Sequence, residues 1–319
     1  MKLSSYCNYI KRFNKNASRL VFAENRLGVA QYIRIWASEI YCFCRFGCSP
    51  DDYFRYEFYK KSNYERAKFI TYRKSQFLIK KYNAPKYREV LQDKVSFNKF
   101  FDDYIKRDWI SLKDATQEDF AQFIKKHGEI LVKPLKGGQG IGIHKVSVDD
   151  VAKVKIQEYR DFIAEEILSQ HTAMKTLNPS SVNTVRVLTF DGEPIAAAIR
   201  IGVGSSIVDN LHSEGICGHI DLNTGIIDAK CINNRYEKFI LHPTTGEKLV
   251  GCKFPYWAKV LETVRNAASK LPQEKYIGWD VAVLEQDVAL IEGNHDPGHD
   301  VVQMIAQTGL WKVIKNKMR

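Results

Sequence analysis

The sequence has no run approaching the roughly 18 uninterrupted apolar residues of a membrane-spanning helix, so none is expected. Its early residues, Leu3-Ser4-Ser5-Tyr6-Cys7-Asn8-Tyr9, hold no apolar core of the secretory kind. Seven cysteines, an odd number scattered along 319 residues, make no disulfide framework. The expectation is a reduced, cytoplasmic protein. Cys42 and Cys44, two apart on a predicted helix, would aim their thiols about 200° apart and share no metal. With Cys48 they are expected to be small buried apolar groups. His212, His295 and His299 show no zinc-ligand spacing. There is no internal repeat and no low-complexity segment. No glycine run is followed by Gly-Lys-Ser/Thr, which excludes a Walker A loop. None opens a helix in the dinucleotide-binding manner.

Acidic residues are scarce in one part only. Residues 1–90 carry 19 Lys and Arg against 7 Asp and Glu, a balance of +12, while the remainder stands at −1. Such a local field suits a phosphorylated substrate, an acidic glycan precursor or an acidic membrane surface, the last implying a peripheral position. It equally suits a solvated helical face. Residues 1–90 read as mainly helical. Val29, Ile33, Trp36, Ile40 and Phe43 recur at helical spacing, Gly47 and Pro50 end that helix, and Ser49 is placed to cap the next. The aromatic run Asp51–Tyr59 is expected to pack this layer, not to stack on bases, and nucleic acid is not an expected partner.

From about residue 90 the texture changes. The strand Glu129–Pro134 is followed by Leu135-Lys136-Gly137-Gly138-Gln139-Gly140-Ile141-Gly142 and a second strand, Ile143–Val148. Glycines between two strands make a mobile hairpin whose backbone N–H groups approach phosphates closely. Lys133, just before it, would neutralise phosphate oxygens. Phe162–Ile167 reads as a strand running into a hinge. Asn183–Phe190 and Pro194–Ile201 read as strands about the turn Asp191-Gly192, with Arg186 opposite the Val185–Val187 face. A helix is expected from Pro255, burying Val260, Val264, Ala267, Ala268 and Leu271.

The most informative stretch is Ile277–Asn294. Two apolar runs, Val281–Leu284 and Val288–Ile291, flank three polar residues and read as a β-hairpin. Asp280 and Glu292 are equidistant from Gln286 at its midpoint, so antiparallel pairing sets them opposite each other, Cβ atoms roughly 4.5–5.5 Å apart. Asn294 returns to the same face by the period of two. Opposed carboxylates repel unless a cation lies between them, and two carboxylates with an amide oxygen suit Mg²⁺ beside nucleotide phosphates.

In this order, Lys94, Lys133 before the glycine loop, Glu165-Glu166, and Asp280…Glu292-Gly293-Asn294 resemble the ATP-grasp superfamily over roughly residues 85–305. Gln170-His171, Ser181–Arg186, Glu292–Asn294 and the basic N-terminal region with Asp52-Tyr53 and Glu65-Arg66 are similar to its sugar-transfer-associated branch, linked to bacterial surface polysaccharides. Asn210-Leu211-His212, followed by Gly215, resembles a segment of ribosomal-protein glutamate ligases. The resemblance implies an α+β, ATP-grasp fold of two α+β subdomains gripping ATP. It would comprise a basic helical region (1–90), a linker and first part (91–128), a lid subdomain with the glycine loop (129–170) and a C-terminal subdomain with the metal site (171–319).

It also implies roles. Lys94, Lys133, Gly137, Gly138, Gly140, Glu165 and Glu166 would bind ATP. The acidic residue many members use for the ribose is missing, so Gln170 or His171 would substitute. Asp280, Glu292 and Asn294 would hold Mg²⁺, with Mn²⁺ as substitute. Arg186, Arg200, Asn210 and His212 would serve catalysis. The implied activity is ATP-dependent joining of a carboxylate to an amine through an acyl-phosphate, on a small or glycan-linked substrate in capsule or O-antigen synthesis. The alternative is a phosphotransferase acting on a sugar or glycan hydroxyl with the same nucleotide site.

Overall fold

The computed structural model of the chain describes residues 3–20, 29–138, 140–209 and 214–318. Helices α1 (Leu3–Leu20), α2 (Val29–Phe46), α3 (Pro50–Arg55), α4 (Asn63–Ala67) and α5 (Tyr72–Tyr82) form the N-terminal layer. Ser49 caps α3 as expected. Its hydroxyl accepts from the Asp52 N–H, and the Asp52 carboxylate accepts from the Ser49 N–H, a reciprocal pair worth about 1 kcal/mol. Tyr53, Phe54, Tyr56 and Phe58 are fully buried beside Phe13 and Phe69, so the aromatic run is core.

The face of α2 departs from expectation. Ile33, Ile40 and Phe43 are exposed, while Glu39 and Cys42 are buried and Trp36 stacks on Phe13 at 3.9 Å. Spacing identifies an apolar stripe but not which side the neighbours occupy. Here Phe13 meets the stripe at Trp36, as expected of that residue, while the core is otherwise met by the side that carries Glu39 and Cys42. Glu39 tolerates that position because Tyr9 donates to it. Burial still pushes its carboxyl up to about 7. Cys44 is exposed, whereas Cys42 and Cys48 are buried as expected. The side chain of Val29 lies outside those described.

Short helices α6 (Arg88–Gln92), α7 (Lys94–Phe100) and α8 (Asp102–Ile105) lead into a four-stranded antiparallel sheet. Its strands are β1 (Trp109–Ser111), β2 (Glu129–Pro134), β3 (His144–Ser147) and β4 (Phe162–Glu166), ordered β1-β4-β2-β3. Helix α9 (Gln117–His127) covers it, packing Phe120 and Ile124 on Ile130, Val132 and Ala164. Because β1 pairs with β4, this layer draws on residues from 109 and begins before residue 129.

After α10 (Thr172–Leu177) come β5 (Thr184–Phe190), β6 (Glu193–Ile201), β7 (Ile216–Ile220), β8 (Cys231–Ile232), β9 (Lys238–Phe239), α11 (Trp257–Lys270), β10 (Tyr276–Val283), β11 (Val288–Asn294), α12 (His299–Ala306) and α13 (Trp311–Lys317). The seven strands form one antiparallel sheet, ordered β11-β10-β5-β6-β7-β8-β9. β5 and β6 turn through Asp191 and Gly192, both at positive φ, the geometry a tight hairpin needs. Helix α11 begins two residues beyond Pro255, with Tyr256 at its cap, and buries Val260, Val264, Ala267, Ala268 and Leu271 against Val185, Val187 and Val281. The other face packs Leu188 and Phe190 against Ile70 and Leu78 of the N-terminal layer and Val302 of α12.

Candidate active site

Side-chain alternation on the large sheet builds one wall of the site. β10 is buried along its whole length, and its neighbours place Glu292, Asp280 and Arg186 in one row across β11, β10 and β5. The expected opposition of Asp280 and Glu292 is therefore present. The hairpin is less regular than expected, since a bulge after Asp280 pairs Val281 with Leu290 and leaves Ile291 as the extra residue. Gly278 permits a second close approach, because a Cβ there would lie 2.5 Å from the Pro297 carbonyl oxygen. That carbonyl accepts a hydrogen bond from Arg186 Nη1 at 3.2 Å.

Asp280 is not bare. Arg186 binds it through Nε and through Nη2, the latter at 2.9 Å, and Arg200 Nη1 donates to its Oδ2 at 2.8 Å. Burial alone would raise its pKa, but Arg186 and Arg200 outweigh that and hold it at about 2. Arg200 also reaches Asp209 Oδ1 at 3.2 Å. Asp209 accepts from the Thr184 N–H at 2.9 Å and from the Thr184 hydroxyl. Glu292 fares differently. Burial and the adjacent Asp280 push its carboxyl up, and Arg186 Nη2 is 4.0 Å away. Asn294 Nδ2 donates to Glu292 Oε1 at 3.2 Å. A half-buried carboxyl raised by its acidic neighbour, with an amide oxygen beside it, is a donor set that fits a divalent cation.

The smaller sheet and α7 build the opposite wall. Lys133 on β2 holds Glu165 of β4 at 2.5 Å, Arg107 Nη2 donates to the same carboxylate at 3.0 Å, and Asn98 Nδ2 at 2.9 Å. Burial would raise Glu165, yet Arg107 and Lys133 hold it well below the ordinary carboxylate range. Burial lowers the Lys94 ammonium, with Glu292 opposing that shift. Lys94 Nζ lies 3.4 Å from the Gly137 carbonyl oxygen, at the root of the glycine loop. Between the walls is a cavity of about 380 Å³, lined by Lys94, Lys133, Arg186, Arg200, Asp280 and Glu292. Its roof is Gly137, Gly138 and Gly140. Gly137 and Gly140 both have positive φ, a conformation glycine adopts without a Cβ clash.

A two-sheet grip on a cation-lined cavity under a glycine loop agrees with one further finding. The profile of the sugar-transfer associated ATP-grasp family matches residues 145–318, more than half of the chain. The chain belongs to this family. Its α+β architecture is thus the ATP-grasp fold, preceded by a helical N-terminal layer, as the sequence led us to expect. No curated protein sequence matches it. Among solved structures it is similar to ATP-grasp ligase PsnB complexed with a minimal precursor, at TM-score 0.47 and 15% identity over 73% of this chain. The chain spans 61% of that structure's length. It is also similar to D-alanine–D-alanine ligase from Bacillus anthracis complexed with ATP (TM-score 0.42, 15% identity, 72% of this chain and 69% of that one). A Chryseobacterium gregarium RiPP-associated ATP-grasp ligase in complex with ADP and a leader and core peptide gives TM-score 0.45 at 10% identity, over 75% of this chain and 63% of that one.

In this ATP-grasp chain not every expected residue reaches the cavity. Gln170 is buried elsewhere, its Nε2 donating to the Asn178 and Ser181 carbonyls and its Oε1 accepting from the Asn183 N–H. His171 caps α10, its Nδ1 accepting from the Ala173 N–H at 3.0 Å. Neither lines the cavity. They fix the chain after the hinge, which leaves the ribose-side assignment without support at these two positions. Asn210 and His212 lie outside the described residues. Glu165 and Glu166 both line the cavity, but Glu165 is spoken for by its cations, and Glu166 Oε2 accepts from the Asp108 N–H at 3.0 Å. Arg107 and Asp209 were not among the expected site residues, having no motif or period to mark them as such. Arg55 of α3 was missed likewise. It lines the far end of the cavity, paired with Asp300 of α12.

Proposed function

We propose that the chain is an ATP- and Mg²⁺-dependent, ADP-forming carboxylate–amine ligase, with Mn²⁺ able to substitute. One observation carries this reading: the ammonium groups of Lys94 and Lys133, the guanidinium groups of Arg186 and Arg200, and the acceptors Asp280, Glu292 and Asn294 all converge on one cavity under a glycine loop. The order of events follows from charge. Lys94 and Lys133 hold the ATP phosphates, and the loop over Gly137–Gly140 excludes water. A substrate carboxylate oxygen attacks the γ-phosphorus, ADP leaves, and an acyl-phosphate results. The amine then attacks the carbonyl carbon, loses a proton and expels inorganic phosphate. Arg200 and Arg186, which line the cavity, would stabilise the negative charge that develops on the transferring group, and preorganised cations in such a role are worth about 2–4 kcal/mol each. Glu292, Asn294 and Asp280 are the residues that would hold a divalent cation, which would further neutralise the phosphates.

The substrate we propose is a sugar-linked or amino-acid carboxylate in surface-polysaccharide assembly, of the capsule or O-antigen kind. The family match supports it, as does the +12 balance of residues 1–90, which suits an acidic precursor. The test is ADP and phosphate release with candidate amino acids and nucleotide-linked uronic acids, hydroxylamine serving as a generic amine. Hydroxamate formation supports the ligase. ADP release with a phosphorylated hydroxyl product and no hydroxamate would establish the phosphotransferase instead.

A further inference from the structure

The N-terminal layer presents a surface that the cavity does not use. On α2, the exposed side chains Ile33, Ala37, Ile40 and Cys44 recur every three or four residues and form one stripe along the helix. Ile33 and Ile40 are 61% and 51% exposed, bordered by the exposed Tyr41 and Phe43. The helix has three charged residues, Arg34, Glu39 and Arg45. Glu39 is turned inward and fully buried against Tyr9, so the outward stripe holds no acid. Arg34 and Arg45 each follow a stripe residue by one position, which sets both along the same edge. Both are exposed.

Beyond that edge, Asn63 of α4 donates to the Tyr41 hydroxyl at 3.1 Å, and Arg66 reaches Ser38 Oγ at 3.4 Å. This fixes α4 beside α2. It carries Tyr64, 75% exposed, with Lys68 Nζ 4.1 Å from its ring centre. Contiguous apolar surface of this kind marks an interaction site. The charge around it selects the occupant. A second copy would bring its own Arg34 and Arg45, and its own +12 region, against these. An anionic phospholipid surface satisfies every part at once: acyl chains for the isoleucines, phosphates for the arginines and Lys68, head-group depth for the tyrosines.

We propose that α2 is an interfacial helix that docks the chain onto an anionic phospholipid surface. It lies in that surface, since its other face is packed into the layer and no described helix is long and apolar enough to cross a membrane. The proposal rests on the helical layer alone and is independent of the ligase reading. It adds a location to that reading, because the same layer supplies Arg55 to the cavity.

The test is co-sedimentation of the full chain with vesicles of phosphatidylcholine alone, and of phosphatidylcholine mixed with phosphatidylglycerol. The unaltered chain should sediment with the mixed vesicles only, and raising salt should weaken this. Ile33→Ser with Ile40→Ser should lower the partition coefficient by about tenfold or more. Arg34→Gln with Arg45→Gln should lower it by about fivefold or more. Melting temperature and MgATP binding should hold in both. If the isoleucine pair lowers the melting temperature, the arginine pair, whose side chains are exposed, decides. The proposal is overturned if the unaltered chain ignores both vesicles, or if a folded isoleucine variant binds as strongly. A dimer in sedimentation velocity that the isoleucine changes abolish, without vesicle binding, would also overturn it and assign the stripe to a second copy. Absent MgATP binding would sink the ligase reading and leave this proposal standing.

Discussion

Both walls of the cavity bury carboxylates among cations, yet they balance differently. On the smaller sheet Glu165 stands between Arg107 and Lys133, two cations to one carboxylate. On the large sheet Asp280, Asp209 and Glu292 share Arg186 and Arg200, three carboxylates to two cations. The first wall is electrostatically complete and holds Glu165 ionised. The second leaves Glu292 undersupplied, with its carboxyl pushed up by burial and by Asp280. In the function proposed above, the surplus carboxylate beside Asn294 would be met by an added cation. That difference separates a carboxylate matched by its cations, Glu165, from one that is not, Glu292, on two walls of one cavity.

The largest effects should come from removing a paired carboxylate on either wall. Asp280→Asn and Glu165→Gln each leave buried cations uncompensated, a loss expected to cost about 3–5 kcal/mol in urea unfolding. An unchanged midpoint for either would show that its cations relax to water and that the pair is not structural. The pH dependence of Asp280 has a definite sign. Its pKa is depressed from 3.8 to about 2, so its contribution is present above the ordinary value and disappears as pH falls through about 2. Asp280→Asn should flatten stability over that acid range.

Lys133→Ala sharpens the comparison on the complete wall. Arg107 still holds Glu165, so the fold should survive, while ATP binding weakens by about 2–4 kcal/mol. Titration calorimetry reads this directly, and an unchanged dissociation constant would remove Lys133 from the nucleotide site. On the undersupplied wall, MgATP should raise the melting temperature more than ATP or Mg²⁺ alone, because the cation and nucleotide complete it together. Equal shifts with ATP alone would mean that the wall needs no cation.

The smallest stability effect should be at Glu292. Glu292→Gln should leave the protein unchanged or up to about 1 kcal/mol more stable at neutral pH, since it removes an unrelieved like-charge contact, while nearly abolishing turnover. A raised carboxyl pKa favours the fold below the ordinary value and loses that advantage as pH rises through the folded one. The gap between this variant and the unaltered chain should therefore widen with pH. An unstable yet active Glu292→Gln protein would make the hairpin structural and erase the contrast between the walls.

Hairpin symmetry and the strand period of two made the opposition of Glu292 and Asp280 legible, because a hairpin pairs residues that are close in sequence, whereas Arg186 joins that row from 94 residues away. The bulge at Ile291 was invisible, since an extra residue in one strand leaves the apolar pattern intact. The symmetric count also implied two carboxylates with nothing to relieve them. Arg186 and Arg200 relieve Asp280 directly, and the less relieved one is Glu292, which Arg186 approaches only to 4.0 Å.

The chain by itself determined the elements and their punctuation: the bounds of β2, the Asp191-Gly192 turn, the Ser49 cap, the glycine loop after Lys133 and the buried stripe of α11. Each depends on a backbone preference or a side-chain period spanning a few residues. Only the tertiary structure decided which carboxylate finds which cation. Arg107 meets Glu165 across 58 residues, and Arg200 meets Asp280 across 80. It alone also turned α2, where Glu39 went inward to Tyr9 and the isoleucines outward. Burial of a charge is set by the partner the fold delivers, and apolar spacing on a helix is the same whichever side meets the core.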